Sequence, residues 1–242
     1  MIPKKAFVLA AGLGNRMRPL TDHCPKPLLE VAGRTMLDRA LDALVAVGVK
    51  TVVVNVQYLA EMIIHHLKTR SDLKIIISQE TELLETGGGV KKAINYFDDE
   101  AFFVLNSDVL WTDGIEGSAL KGLAEVWDDH QMDALLMMYD VDKLPNRNGV
   151  GDYVMGHKGA LKRGARGAEN PRHVFTGPRI VHPRLFKNSP QGAFSFLTLF
   201  DQAEDQNRLF GYHHQGQWYH CGTPEELAET NDLLAQKDQK IS

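Results

Sequence analysis

Residues 9–30 read LAAGLGNRMRPLTDHCPKPLLE, and this stretch indicates the fold more clearly than any other part of the chain. The apolar run Ala6–Ala11 predicts a β-strand that leads directly into the glycine-rich turn GLG. Glycine allows the backbone to approach a phosphate closely, and successive N–H groups in such a turn form an anion-binding concavity. Arg16, Arg18 and Lys26 follow, and their charges are suited to neutralising triphosphate oxygens. The stretch therefore predicts a nucleotide-binding loop at the end of a strand.

Two common phosphate-binding motifs do not describe this loop. The dinucleotide motif G-x-G-x-x-G would need a glycine where Met17 stands, and no Gly-Lys-Ser/Thr triplet follows as in a P-loop. The complete string L-A-A-G-x-G-x-R-M-R-P-L-T, with P-K-P-L downstream, resembles instead the signature of the sugar-1-phosphate nucleotidylyltransferases. Members of that family join a nucleoside triphosphate to a sugar 1-phosphate and release pyrophosphate. Asn15 stands where the signature usually has Thr or Ser, and its side chain can still donate a hydrogen bond.

Composition narrows the class of protein. The chain has 242 residues, of which 43% are hydrophobic and 24% charged, as expected of a globular protein with a sizeable core. Its formal charge of −4 argues against a nucleic-acid partner. No apolar run approaches the roughly 20 residues of a membrane span, and the first residues lack a signal-peptide pattern. Cys24 and Cys221 show no CxxC spacing. We therefore expect reduced thiols, no membrane association and a cytoplasmic location.

Short apolar runs alternate with helical patterns through the first half of the chain. This alternation predicts an α/β fold with a single Rossmann-like, mostly parallel sheet and helices on both faces. In such sheets ligands bind beyond the carboxyl ends of the strands, which places residues 12–18, 79–89 and 107–113 at one rim. The predicted strands are Ala6–Ala11, Thr51–Val56, Lys74–Ser78, Ala101–Asn106 and Ala134–Tyr139, and the predicted helices are Thr35–Val47, Ala60–Leu67 and Gly89–Tyr96.

After Leu144 the pattern changes to short strands separated by glycine-containing segments. We expect a loop at 145–149, a hairpin turn at Gly156–Gly159 and an irregular stretch at Gly164–Pro171. The chain is predicted to form one domain, 1–242, with a nucleotide-binding half at about 1–144 and a small β-rich sugar-binding half at about 145–242. The predicted elements of the second half are the strands Val150–Met155, Leu161–Arg163 and His173–His182 and the helices Gly192–Glu204 and Pro224–Lys237.

The resemblance implies that a sugar phosphate oxygen attacks the α-phosphorus of the triphosphate. Positioning and charge neutralisation do most of the catalysis in such reactions. Arg16 is expected to bind the β- and γ-phosphates, which leave as pyrophosphate. Lys26, held between two prolines that restrict its backbone, is expected to bind the α-phosphate and the incoming phosphate. Asp108 follows the predicted strand that ends at Asn106, and a carboxylate in that position can hold Mg²⁺.

A second glycine cluster, LETGGG at 84–89, precedes a predicted helix. Free N–H groups at a helix N-terminus favour an anion or a ribose hydroxyl. The cluster is similar to that of a subgroup with N-acetylmuramate-1-phosphate uridylyltransferases and some mannose- or heptose-1-phosphate guanylyltransferases. An exposed glutamine at 79 and structural turn residues at 152 and 176 are the alternatives to binding roles there. The resemblance implies nucleotide binding by Leu9, Ala10, Ala11, Gly12, Gly14, Asn15, Gln79 and Gly87, and sugar binding by Glu85, Asn106, Gly151, Asp152 and Thr176.

The clearest departure from the family pattern is WYHCGT at 218–223. Relatives have W-x-D-x-G-T, in which the aspartate is the second Mg²⁺ ligand. Imidazole is a poor ligand for Mg²⁺ and suits Mn²⁺, Co²⁺ or Zn²⁺ better. Three interpretations of His220 follow: Mg²⁺ held by Asp108, substrate phosphates and water; a different metal such as Mn²⁺; or a weakened catalyst. We favour the first, because Mg²⁺ often keeps several waters and only one or two carboxylates.

The leading interpretation of function is an enzyme that makes a nucleotide sugar from two substrates. These are a sugar 1-phosphate and a nucleoside triphosphate, which we expect to be UTP. Resemblance suggests N-acetylmuramic acid 1-phosphate, in a cell-wall recycling route. Guanylyl transfer to mannose or heptose 1-phosphate is the nearest alternative, and cytidylyl transfer to phosphocholine is more distant. A non-catalytic, nucleotide-sugar-sensing regulatory subunit would explain His220 but not Arg16, Lys26 and Asp108. A dinucleotide-binding oxidoreductase is disfavoured by the missing third glycine. We expect a monomer or a homodimer.

Replacing His220 with the aspartate of the family pattern tests whether this position faces the metal. We expect His220→Asp to tighten the Mg²⁺ dependence of activity, so that half-maximal activity needs less Mg²⁺. The reason is that a carboxylate raises the affinity of a site for a hard cation. The measurement is a Mg²⁺ titration of both proteins at saturating substrates. An unchanged titration would show that residue 220 lies away from the metal.

Overall fold

The computed structural model describes residues 1–115, 117–144 and 151–241, and side chains as far as residue 234. The predicted loop at 145–149 and Val150, the predicted first residue of the strand Val150–Met155, lie outside the described residues. The strands are β1 Lys5–Leu9, β2 Glu30–Val31, β3 Arg34–Thr35, β4 Thr51–Val56, β5 Lys74–Gln79, β6 Phe102–Asn106, β7 Val109–Trp111, β8 Ala134–Asp140, β9 Tyr153–Met155, β10 Leu161–Arg163, β11 His173–Val181, β12 Leu209–His213 and β13 Trp218–His220. The α-helices are α1 Met36–Ala46, α2 Ala60–Leu67, α3 Glu85–Lys92, α4 Ala119–Val126, α5 Phe196–Asp205 and α6 Pro224–Ile241.

One mixed sheet organises the molecule. β1 pairs in parallel with both β4 and β6, and β4 pairs in parallel with β5. β11 is antiparallel to β6 on one side and to β8 on the other, and β12 pairs in parallel with β8. β9 and β10 form an antiparallel hairpin beside the start of β11. The predicted α/β fold with a mostly parallel sheet is confirmed, and β11 is the antiparallel strand that joins its two parts.

Helices cover both faces of this sheet, as predicted. Successive side chains of a strand point to opposite faces, so Ala6 and Val8 of β1 join one buried cluster and Phe7 joins the other. The first cluster packs under α1, α2 and α4, and the second packs under α3 and α5. Burial of apolar surface contributes about 25 cal/mol per Å². This burial holds the parallel strands together and brings the carboxyl ends of β1, β4, β5 and β6 to one rim.

Local capping determines where two of the helices begin. α1 starts after Thr35, because the Thr35 hydroxyl accepts the N–H of Asp38 at 3.0 Å as an N-cap. α5 starts at Phe196 rather than at the predicted Gly192, because Ser195 supplies its N-cap. Serine and threonine are preferred at this position since their oxygens satisfy N–H groups that have no partner inside the helix.

The glycine cluster requires the largest correction to the predicted elements. Gly87, Gly88 and Gly89 lie inside α3 and not before it, and α3 ends at Lys92 rather than at Tyr96. Glycine is a poor helix former, and the predicted helix accordingly begins only at Gly89. The helix forms because tertiary contacts compensate, and these contacts leave no room for side chains at the three positions.

Six of these strands and α-helices have no counterpart among the predicted ones: β2, β3, β7, α4, β12 and β13. Two of them contain a glycine that permits close packing. A Cβ at Gly122 of α4 would lie 2.3 Å from the Tyr212 hydroxyl, and one at Gly211 of β12 would lie 2.8 Å from Met138. These glycines weaken the local helix and strand patterns in the sequence while allowing α4 and its neighbours to pack against β12.

Two further features of the structure are the character of its helices and the state of its two cysteines. No helix in the described part of the chain combines the length and the apolar character needed to cross a membrane. Cys24 and Cys221 are free thiols in this structure. Burial raises the pKa of both, which keeps them protonated at neutral pH.

An ion-pair network joins the start of α1 to the end of α2. Asp38, which is 7% exposed, contacts His66 at 2.9 Å and Arg70 at 3.1 Å, and it accepts a hydrogen bond from the Thr35 hydroxyl at 3.0 Å. Burial alone would raise the pKa of Asp38, but the interactions with Thr35, His66 and Arg70 outweigh burial and lower it. Ionised Asp38 therefore stabilises the fold above its ordinary pKa, and this stabilisation is lost as the pH falls through the lowered value.

We expect Asp38→Asn to reduce the free energy of unfolding at neutral pH by about 1–3 kcal/mol, because Arg70 loses a buried charged partner. The difference should shrink as the pH falls below the ordinary pKa of an aspartate, because the wild-type carboxyl then also becomes protonated. Urea denaturation across this range makes the measurement. The control is Asp232→Asn at an exposed position of α6. A destabilisation that does not vary with pH would contradict the assignment.

Candidate active site

The carboxyl ends of β1, β4, β5 and β6 open into one cleft of ≈ 170 Å³. Its walls come from segments that are far apart in sequence and that the parallel strands bring to a common rim. The glycine-rich loop forms one side, and the start of α3 and the segment after β6 form the other. The lining residues are Leu9, Ala10, Ala11, Gly12, Lys26, Pro27, Asn55, Glu80, Leu83, Glu85, Thr86, Asn106, Ser107 and Asp108.

A buried hydrogen-bond network fixes the start of the glycine-rich loop to α3. The side-chain oxygen of Asn55 accepts the N–H of Ala10 at 2.8 Å, and its amide nitrogen donates to Glu80 Oε1 at 2.7 Å. Glu80 Oε2 accepts the N–H of Leu84, just before α3, at 3.0 Å. Asn55 and Glu80 were not predicted from the sequence. Their signal is a polar residue inside the apolar strand β4 and a carboxylate directly after β5, both almost fully buried.

Ser107 makes the second attachment of the loop. Its hydroxyl donates to the carbonyl of Leu9 at 2.7 Å, and its N–H donates to the same oxygen at 3.2 Å. The family pattern usually has glycine where Ser107 stands, and glycine could supply only the backbone bond. Serine is therefore accommodated at this position and adds one hydrogen bond between β6 and the loop.

Lys26 and Asp108 come together at the centre of the cleft. The Lys26 Nζ atom lies 2.7 Å from Asp108 Oδ2, although the two residues are 82 positions apart in sequence. Lys26 is largely buried in a 3₁₀ turn flanked by Pro25, while the Asp108 side chain is 33% exposed. The pair brings the predicted phosphate-binding cation and the predicted metal-binding carboxylate to one point. Their mutual attraction neutralises both charges when no substrate is bound.

Arg16 lies on a short 3₁₀ helix, Asn15–Met17, beyond the cleft lining. The backbone enters this helix through Gly14, whose φ of +66° favours glycine and where a Cβ would lie 2.9 Å from Thr21. Arg16 and Asn15 are exposed, and within the described residues the Arg16 guanidinium has no hydrogen-bond or ion-pair partner. Its charge is therefore available to a ligand.

The α3 glycines pack against protein groups and not against an open anion site. The N–H groups of Gly87 and Gly88 both donate to the carbonyl of Phe194, at 2.8 and 3.1 Å. A Cβ at Gly87 would lie 2.4 Å from the Phe194 ring, and one at Gly89 would lie 2.7 Å from Glu80 Oε1. The expectation of free N–H groups is wrong for Gly87 and Gly88, because Phe194 already satisfies them.

Four other predicted residues lie away from the cleft lining. The exposed Gln79 is at the carboxyl end of β5. Gly151 is so close to the backbone of β11 that a Cβ would come within 2.6 Å of it. Asp152 Oδ2 accepts the N–H of Phe175 at 3.0 Å, and the buried Thr176 donates its hydroxyl to a carbonyl of β8 at 2.7 Å. These contacts of Asp152 and Thr176 serve strand packing, and a direct role in sugar binding stays a prediction.

His220 lies on β13, paired with Val109, the residue that follows Asp108. Its Nδ1 atom is 3.2 and 3.1 Å from the two carboxylate oxygens of Glu226. Glu226 also accepts the N–H groups of Gly222 and of the next residue, and so caps α6. Burial would raise the pKa of Glu226, but the bonds from His220 and the backbone lower it. His220 is therefore near the cleft but is held by the cap of α6.

The residues present fit a metal ion that protein and substrate hold together. No group of three or more His, Cys, Asp and Glu side chains in the described residues is arranged to bind a metal. Asp108 offers one partly exposed carboxylate at the centre of the cleft. A Mg²⁺ ion commonly takes one or two carboxylates and fills its other positions with water and substrate phosphate.

A glycine-rich loop after the first strand, and a Lys–Asp pair in a cleft at the strand ends, define a nucleotide-binding site built for phosphate chemistry. The family model of the nucleotidyl transferases matches residues 5–157, and the chain belongs to this family. The N-acetylmuramate alpha-1-phosphate uridylyltransferase of Caulobacter vibrioides is 38% identical over 239 residues, covering 97% of this chain and 98% of that protein. The predicted family is thereby confirmed.

Two further comparisons concern a shorter stretch of the sequence and the fold. Mannose-1-phosphate guanylyltransferase 1 of Arabidopsis thaliana is 41% identical over 152 residues, which are 60% of this chain and 40% of that protein. Among solved structures, HddC from Yersinia pseudotuberculosis has a TM-score of 0.74 at 22% identity, covering 96% of this chain and 99% of that chain. At this level of identity the similarity to HddC shows a shared fold.

The close packing of α3 can be tested at Gly87. We expect Gly87→Ala to lower the free energy of unfolding by about 1–3 kcal/mol, because the added Cβ overlaps the Phe194 ring and must displace it. Activity should fall as well, since α3 carries one wall of the cleft. The matched control is Gly156→Ala, where the nearest atom to a Cβ is 3.5 Å away. Urea denaturation makes the comparison, and equal stability of the two variants would contradict the packing argument.

Proposed function

We propose that this protein joins UTP to N-acetylmuramate α-1-phosphate and releases pyrophosphate, in a cytoplasmic route that recycles cell-wall sugar. The observation that carries the proposal is the 2.7 Å contact between Lys26 and Asp108 beside the glycine-rich loop. It combines a cation for the reacting phosphates with a carboxylate for a metal ion. The Caulobacter relative, which aligns with this chain almost from end to end, supports the choice of nucleotide and sugar.

The residues of the chain supply binding and charge neutralisation. Backbone N–H groups of the turn around Gly12 receive the triphosphate, and Arg16 binds the β- and γ-phosphates. Lys26 turns part of its hydrogen bonding from Asp108 to the α-phosphate, and so holds the phosphorus for attack by the sugar phosphate oxygen. A bond from that oxygen to the α-phosphorus forms while the bond to the β-phosphate oxygen breaks. Arg16 stabilises the charge that develops on the departing pyrophosphate.

Asp108 would hold Mg²⁺, or Mn²⁺, together with phosphate and water. When bound, the ion neutralises negative charge on the phosphates during transfer. His220 has no necessary part in this arrangement, because one carboxylate together with phosphate and water is sufficient to hold the ion. The arrangement corresponds to the first interpretation of the histidine in WYHCGT, in which a single protein carboxylate is sufficient.

Guanylyl transfer to mannose 1-phosphate is the second candidate function. The Arabidopsis relative favours it through its higher identity, but that similarity covers only 60% of the chain. Over nearly the whole chain the muramate relative is 38% identical, whereas a mannose-1-phosphate guanyltransferase that covers 92% of the chain is 30% identical. We therefore place uridylyl transfer first and make guanylyl transfer an outcome of the test.

Release of pyrophosphate provides the test. Purified protein with Mg²⁺ is combined with UTP, GTP, CTP or dTTP and with the 1-phosphates of N-acetylmuramic acid, N-acetylglucosamine, glucose and mannose. We expect activity with UTP and N-acetylmuramic acid 1-phosphate. Lys26→Ala should reduce kcat by roughly a hundredfold to a thousandfold, as loss of one preorganised charge-stabilising group commonly does. Lys68→Ala, at an exposed position after α2, is the matched control.

Two results would contradict the proposal in different ways. Activity confined to GTP and mannose 1-phosphate would replace it with the second candidate. Absence of pyrophosphate with every pair, with Mg²⁺ and with Mn²⁺, while UTP still binds in calorimetry, would indicate a nucleotide-sensing subunit.

A further inference from the structure

Arg179 on β11 is a buried cation without a carboxylate partner. The residue is 2% exposed, and no Asp or Glu of the described chain forms an ion pair with it. Its Nε atom is buried and has no hydrogen-bond partner. Arg70, by contrast, pairs with Asp38, Asp42 and Asp72. Burial lowers the pKa of Arg179 to about 9, which still leaves it charged at neutral pH. A buried charge without a counter-charge is costly, so its presence beside a cleft calls for a ligand.

The fold holds this guanidinium between aromatic rings and an irregularity of the strand. Its Cζ atom lies 4.2 Å from the centre of the Phe196 ring and 5.6 Å from that of Phe175, distances at which ring faces attract a cation. The register of β11 against β8 shifts between Phe175 and Arg179. Gly177, with a φ of +111°, lies inside this bulge and accepts a hydrogen bond from Arg179 Nη1 at 2.6 Å. Bulges of this kind redirect side chains, often next to active sites.

Arg179 reaches the cleft through Asn106. The same Nη1 atom donates to Asn106 Oδ1 at 3.0 Å, and Asn106 lines the cleft. Arginine offers only donors, so the amide must present its oxygen to Arg179. The two N–H groups of the Asn106 amide remain available to the cleft, with a positive charge directly behind them. Donors supported by a cation in a poorly solvated environment favour an anionic acceptor over a neutral one.

We propose that Arg179 is a positioning residue which, through Asn106, adapts the sugar side of the cleft to an anionic oxygen of the sugar substrate. That oxygen belongs either to the 1-phosphate or to a carboxylate substituent of the sugar, such as the one in N-acetylmuramate. Lys26, the cation that lines the cleft directly, already faces Asp108. Arg179 is thus a cation at this site whose charge is left for the substrate to balance. This inference rests on the proposed function.

Removal of the charge should weaken binding of the sugar and not of the nucleotide. We expect Arg179→Gln to raise the KM for the sugar 1-phosphate by about tenfold to a hundredfold, the range for losing one charge-assisted hydrogen bond. The KM for UTP and kcat should change less than about threefold. Arg179→Lys, which keeps the charge, should recover part of the affinity. Calorimetric binding of UTP to each variant shows that it is folded.

Asn106→Asp separates positioning from a purely structural role. The new carboxylate gives Arg179 a counter-charge inside the protein and repels an anionic substrate. We expect the melting temperature to be maintained or raised while the KM for the sugar 1-phosphate increases at least tenfold. The control is Arg184→Gln, which removes an arginine that pairs with Asp129 and Asp133 away from the cleft. That variant should lose stability and keep the wild-type KM values.

Comparing two sugars identifies the anion. An equal rise in KM for N-acetylmuramic acid 1-phosphate and N-acetylglucosamine 1-phosphate in Arg179→Gln supports the phosphate as the anion. A rise confined to the first supports the carboxylate. If the variants melt as the wild type does and keep its KM for both sugars, the proposal is overturned and Arg179 is structural. If the wild type itself neither turns over any sugar 1-phosphate nor binds one in calorimetry, the proposed function is wrong, and the proposal for Arg179 is wrong with it.

Discussion

The buried pair formed by Asn55 and Glu80 is the interaction on which the geometry of the cleft depends. Asn55 lies in β4 and Glu80 directly follows β5. Together they connect the glycine-rich loop to the start of α3. Both residues are almost fully buried, so a broken bond would leave an amide or a carboxylate without a partner at considerable cost. Gly89 contributes by having no side chain, because a Cβ there would collide with this pair.

The three cations at or near the cleft differ in how their charge is balanced. Lys26 and Asp108 form an ion pair in the cleft, so each balances the charge of the other. Under the proposed function this pair opens towards phosphate and metal. Arg16 is exposed on a short 3₁₀ helix, where water can solvate its charge. Arg179 is buried behind Asn106 and cannot be solvated. An exposed cation costs little to leave unpaired, whereas a buried one favours a state in which an anion is close.

The local parts of the fold could be predicted from the sequence. The bounds of β4 and α2 agree with the predicted ones, because a run of β-branched residues and a short amphipathic pattern each have clear ends. Residues of the glycine-rich loop could be placed because they are contiguous. Lys26 and Asp108 could be assigned individual roles from the family pattern, but their contact spans 82 positions and no local pattern expresses it.

The remaining features depend on tertiary packing that single residues do not reveal. Three consecutive glycines disfavour a helix, yet α3 runs through them, and Phe194 and Glu80 occupy space where side chains would be. The predicted sugar ligand Thr176 directly precedes Gly177, in a bulge that turns Arg179 towards Asn106 instead. Asn55 and Glu80 look like ordinary polar residues until the parallel strands bring them side by side.

The most direct test of the account is to follow each phosphorus atom of UTP through the reaction. UTP labelled at the α-phosphorus, and separately at the γ-phosphorus, would be incubated with enzyme, Mg²⁺ and N-acetylmuramic acid 1-phosphate, and the products separated by chromatography. If the protein transfers a uridylyl group, the α-label appears in the nucleotide sugar and the γ-label in pyrophosphate. Transfer of the γ-label to the sugar, with the α-label left in UDP, would show phosphoryl transfer instead and contradict the proposed chemistry of this cleft.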